Sequence, residues 1–79
     1  MWWMFKKILD DGQKMTFLYS FESYELNGKI EYDKRNDKFR LLVPSEKGGM
    51  AGYLKLCGHL LHKIKNADIP EGEHMIATG

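Results

Sequence analysis

Cysteine is almost absent from this chain of 79 residues, and Cys57 stands alone. No internal disulfide can form, and no cysteine-based zinc site can be assembled. Proline is equally scarce: Pro44 and Pro70 are the whole complement, and each marks a place where a regular element must stop. Apolar runs stay far below the ~18 residues needed to cross a bilayer, so a membrane span is not expected. In the opening MWWMFKK the lysines follow the apolar residues, the reverse of a secretory leader, and no small-residue cleavage site comes after it. A cytoplasmic location is the expectation. One more absence is local: between Glu46 and Asp68 there is no acidic residue.

What is present is enough to fold. A hydrophobic content of 43% with 13% aromatics lies well away from the disordered regime. The length supports a single small domain, residues 1–79, with a thin core, a situation in which self-association commonly supplies the last of the stability. A net charge of +1 gives no global nucleic-acid signal. Its distribution is uneven, with sums of +1 for residues 1–21, −1 for 22–46, +4 for 47–67 and −3 for 68–79.

Residues 1–11 read as a short helix. At about 100° per residue, Met1, Trp2, Met4, Phe5, Ile8 and Leu9 share one arc, Lys6, Lys7, Asp10 and Asp11 the other, and Gly12 is a stop. Two aspartates in the last turn oppose the helix dipole, however. Trp3 also lands among the polar residues, so it is either an exposed contact residue or a sign that the helix begins after it. From Lys14 to Glu22 the pattern becomes alternating, with Met15, Phe17, Tyr19 and Phe21 on one side, which is a half-buried strand.

Asn27-Gly28 is a strong hairpin signal. A tight turn there would set Ser23 against Tyr32 and Glu25 against Ile30, so a longer loop over 23–28 competes with it. The next two strands fix their own register, because Tyr32 opposite Phe39 and Ile30 opposite Leu41 keep the apolar set on one face. That register sets Glu31 across from Arg40 and leaves 34–37 as the turn. Residues 50–66 form the main helix, with Met50, Tyr53, Leu54, Leu56, Cys57, Leu60, Leu61 and Ile64 in an arc of about 160°. Lys55, His59, His62 and Lys63 lie opposite. The tail, 67–79, either adds a short fourth strand at 75–78 or frays. The expected fold is a small two-layer α+β domain in α-β-β-β-α order: an amino-terminal helix over 1–11, a three-stranded antiparallel sheet over 14–44, and a closing amphipathic helix packed on that sheet.

Chemistry-bearing groupings are sparse. His59 and His62 could reach one ion, with His74 joining from the tail, but Cys57 projects on the other side of the helix and solvated helix histidines are the expected reading. Gly48-Gly49-Met50-Ala51-Gly52 with Lys47 opens the helix as an anion site would, yet no phosphate-binding frame is present. Gly58, with Ala51 a small-residue stripe, suggests close approach of another backbone, from the amino-terminal helix or a second subunit. Ser20, Ser23 and Ser45 lack a nucleophile-elbow context, and Cys57 sits on the core face as inert packing.

Neither an enzyme nor a bound metal or cofactor is expected. The expectation is a non-enzymatic protein-interaction or regulatory module, a homodimer or the partner of another protein. Its contact residues are Trp2 and Trp3, as tryptophan is enriched at interface hot spots, with Lys55, His59, His62 and Lys63. The alternative is nucleic-acid or polyanion binding through the basic face of helix 50–66. Membrane contact through MWWMFKK has only a poor anchor.

Overall fold

Alternation, not helical spacing, governs the first ten residues. In the computed structural model, which describes residues 1–78, strand β1 spans Trp2–Asp10, β2 Lys14–Phe21, β3 Gly28–Asp33 and β4 Lys38–Val43. Helix α1 follows over Gly49–Lys65, and β5 over Glu73–Ala77. The strands make one antiparallel sheet in the order β4-β3-β2-β1-β5. The expected helix at 1–11 is therefore a strand next to the middle of the sheet, and the sheet has five strands rather than three. Helix 50–66 is not the closing element, because β5 returns after it to pair with β1.

The physical reason lies in the position of β1. Trp3 and Phe5 point inward and are fully buried, but the outward side also carries Trp2, Met4 and Ile8. A bulge between Lys7 and Leu9 then breaks the two-residue period. Two apolar faces and a bulge blur alternation into a pattern that helical spacing also fits. Both signals against the helix are explained by the strand. Trp3 faces the core, and Asp11 closes the β1–β2 turn by accepting from the Gln13 and Lys14 amides at 3.0 and 2.9 Å.

The β3–β4 register is the one that the apolar residues dictate: Tyr32 faces Phe39, Ile30 faces Leu41 and Glu31 faces Arg40. Between β2 and β3 the chain takes the longer route, since β3 begins only at Gly28. A Cβ on Gly28 would stand 2.3 Å from the Tyr19 ring. Glycine is needed there for close approach, not for a two-residue turn.

Helix α1 runs back along β2, the central strand. At its start a Cβ on Gly48, whose φ is 91°, would lie 2.6 Å from Phe21. At its far end Ile64 shares a cleft with Met15. The Trp3 indole donates to the Gly52 carbonyl at 3.0 Å, which ties β1 to the first turn of the helix. Leu56 and Leu60 complete a core with Phe5, Phe17, Ile30 and Tyr32.

Candidate docking surface

One helix cannot roof this sheet. Strands spaced by ~4.8 Å put β4 and β5 about 19 Å apart, whereas a helix with its side chains is about 10–12 Å wide. Margins over β4 and β5 are left on either side of α1, and its two flanks treat them differently. The flank toward β1 and β5 is polar: His59 packs on the Trp3 ring at 5.4 Å, and the Lys55 ammonium lies 3.6 Å from the Met1 sulfur. The flank toward β4 is apolar, because Met50, Leu54 and Leu61 fall within about 40° of one another around the axis. Lys65, next on that flank, reaches Asp37 in the β3–β4 turn at 3.2 Å.

Met50 and Leu54 are each 59% exposed. The apolar arc of α1 is thus wider than its contact with the sheet, and the surplus is on the flank turned toward β4. On that side the inward residues Phe39 and Leu41, and Leu61 of the helix, are half-buried and pack against the core. Met50, Leu54, Leu61, Phe39 and Leu41 thus make a margin of partly exposed apolar surface, or trough, between α1 and β4. Lys47 lies just before the helix at one end of it and has no ion-pair partner among the described residues.

The residues expected to make contacts are scattered. Trp3 is buried and serves the fold. Trp2 lies on the outer face of the sheet, half-buried, its ring 5.1 Å from Tyr24. His59 is half-buried against Trp3. His62 is exposed, its carbonyl accepting from the Asn66 amide at 2.8 Å. Lys63 pairs with Asp68 at 3.5 Å. Lys55 points to solvent beside Met1. His74 lies on β5 against Phe5 at 5.9 Å, and among the described residues no three His, Cys, Asp or Glu side chains are grouped to hold an ion. The trough residues Met50, Leu54, Phe39 and Leu41 all stood in the sequence as core. Helical periodicity shows an apolar arc but not where the sheet beneath it stops.

Cys57, Tyr32 and the acids of the cleft at the turn end of the sheet are engaged within the fold. Burial pushes the Cys57 thiol up, against the opposing effect of its hydrogen bond with Tyr53, so it is a poor nucleophile. Burial, then the Asp37 carboxylate that its hydroxyl bonds, pushes Tyr32 up to about 12. An open cleft of about 620 Å³ at the turn end of the sheet is lined by Lys14, Glu31, Asp33 and Arg35 among others. Its acids are committed, Glu31 to Lys14 and Arg40 and Asp33 to the amides of Arg35 and Asn36. Among the described residues, no helix is long and apolar enough to cross a membrane. No family model, no curated protein and no solved structure matches the chain.

Proposed function

We propose that the chain is a small cytoplasmic, non-enzymatic interaction module that receives an amphipathic helix of another protein in the trough between α1 and β4. The observation that carries this reading is the exposure of Met50 and Leu54, two large apolar side chains side by side on one flank of the helix. A helix laid beside α1 at a normal interaxial distance of about 8–10 Å would bury these two side chains with Leu61, Phe39 and Leu41. Each large apolar side chain removed from water contributes about 1.5–3 kcal/mol before the costs of association. Lys47 at the margin favours a partner helix with an acidic residue beside its apolar stripe.

The polyanion reading has less behind it. Two of the four lysines on and before the helix are already neutralised, Lys63 by Asp68 and Lys65 by Asp37.

Native purification of the tagged chain, followed by mass spectrometry, tests the proposal. A protein that accompanies the wild type and is lost with both Leu54→Glu and Met50→Glu supports it. Retention of the same companion by both variants overturns it, as does co-purification of nucleic acid that salt releases steeply.

A further inference from the structure

The two edges of the sheet differ in how well they are protected from pairing. β4 carries Lys38 and Arg40, pairs with β3 through an irregularity between Lys29 and Ile30, and is stopped by Pro44. Those are the usual means by which an edge is kept from adding another strand. β5 has neither an irregularity nor a proline, and its one acidic residue, Glu73, stands at its start. Its residues are Glu73, His74, Met75, Ile76 and Ala77, it holds an unbroken register with β1 from Trp2–Ala77 to Lys6–Glu73, and among the described residues no strand lies beyond it.

The backbone shows which groups that open edge presents. Thr78 donates to the Met1 carbonyl at 2.8 Å, and the Met1 nitrogen donates back to the Thr78 carbonyl at 3.0 Å. Met1 and Thr78 are therefore a hydrogen-bonded pair, and alternation makes Trp3–Ile76 and Phe5–His74 the next ones. Ile76 and His74 turn their amides to β1. Glu73, Met75 and Ala77 turn theirs outward, donor and acceptor together.

We propose that a second copy of this chain pairs with the first along β5, antiparallel about a two-fold axis at Met75, and joins the two sheets into one. The set of outward groups is its own complement. About that axis Met75 faces Met75 of the copy and Glu73 faces Ala77, each pair exchanging both backbone hydrogen bonds. On the inner face His74 meets Ile76, so no like charges are opposed. On the outer face, where Met4 is the β1 partner of Met75 and Trp2 that of Ala77, the apolar patches of the two copies become continuous. Met75, 49% exposed in the single chain, becomes the centre of that strip. A strand from an unrelated protein would satisfy the same backbone groups, but only a second copy also matches the Met4–Met75 patch with itself. This goes beyond the helix-docking reading and does not rest on it, since the trough lies at the opposite edge.

Sedimentation of the full chain, with amide hydrogen exchange on the same sample, tests the pairing. The expected result is twice the monomer mass, with the Glu73, Met75 and Ala77 amides exchanging as slowly as those of His74 and Ile76. Met75→Pro removes the central donor, and Met75→Lys sets two ammonium groups face to face. Each should halve the mass, return the three outward amides to fast exchange and leave the far-ultraviolet spectrum unchanged. If Met75→Pro does not fold, Met75→Lys decides alone. A monomeric wild type with those three amides unprotected overturns the pairing, and so does a dimer that survives Met75→Lys. Leu54→Glu should leave the dimer intact, so failure of one proposal is distinguishable from failure of the other.

Discussion

The two flanks of α1 are the same helix under opposite constraints. Toward β1 and β5, Gly52 is held by the Trp3 indole, His59 lies on its ring, and the residues above are charged or polar. Toward β4, Met50 and Leu54 stand in solvent, and the inward residues of that edge strand, Phe39 and Leu41, are only half-buried. The first flank is finished by contacts within the chain, at Gly52 and at His59. The second has the composition of a core but not the burial of one. The difference teaches that exposed apolar area in a small domain gains meaning from its setting: scattered leucines are ordinary, whereas a stripe on one helix flank beside a half-open strand has the form of a docking site.

The largest effect should come from emptying the finished flank. Trp3→Ala removes a fully buried indole and the bond to Gly52, at a cost of about 3–5 kcal/mol. Small domains have only about 5–15 kcal/mol in all, so chemical denaturation should show a chain at or near unfolding. Next is Gly48→Ala, which combines a φ of 91° with a Cβ at 2.6 Å from Phe21. It should lower stability by about 1–3 kcal/mol.

Gly58→Ala runs the other way. Beyond the helix's own backbone, no atom of the described residues lies within 4 Å of a Cβ placed there, so alanine should raise the denaturation midpoint by an amount worth about 0.5–1 kcal/mol. A loss instead would mean that another backbone packs on Gly58. Leu54→Glu should change stability by less than about 0.5 kcal/mol while abolishing partner retention, the signature that separates the open flank from the finished one.

The smallest effects are electrostatic and concern the corner where the helix end meets the β3–β4 turn. Asp37 is held below the usual carboxylate range by the Tyr32 hydroxyl first and Lys65 second. Its folded pKa is depressed, so its contribution is present above the unfolded value and fades as pH falls through the folded one, below about 4. Tyr32 has the opposite sign: raised to about 12 from 10.0, its contribution is full below pH 10 and is lost toward 12. Asp37→Asn should lower the Tyr32 midpoint in a phenolate absorbance titration only part of the way, because burial is the larger cause.

Much of the sheet was legible wherever one face was clean. β2 alternates with a single exception at Leu18, and the β3–β4 register follows from Ile30, Tyr32, Phe39 and Leu41 alone. The span of α1 follows from its apolar arc and from Pro70 beyond it. β1 was not legible, because Trp2, Met4 and Ile8 put apolar groups on the side that should have been polar. β5 was visible only as a short edge strand that the tail would either form or leave frayed, since a strand of five residues beside a sheet edge owes its order to the neighbour it pairs with. Of the contact residues, Trp2 and Lys55 are at the surface, but Trp3 was misplaced with β1. The trough was invisible because burial along α1 depends on where β4 lies, a long-range fact that no window of sequence holds.

The central claim is that the apolar flank of α1, not its basic flank, meets the partner. A photo-crosslinking residue placed in turn at Leu54 and at the adjacent Lys55, in cells that make the protein, tests it most directly. The account predicts a discrete adduct from position 54 and none from position 55, with the adduct mapping to an amphipathic helix that carries an acidic residue beside its apolar stripe. An adduct from position 55 with none from position 54 would contradict it.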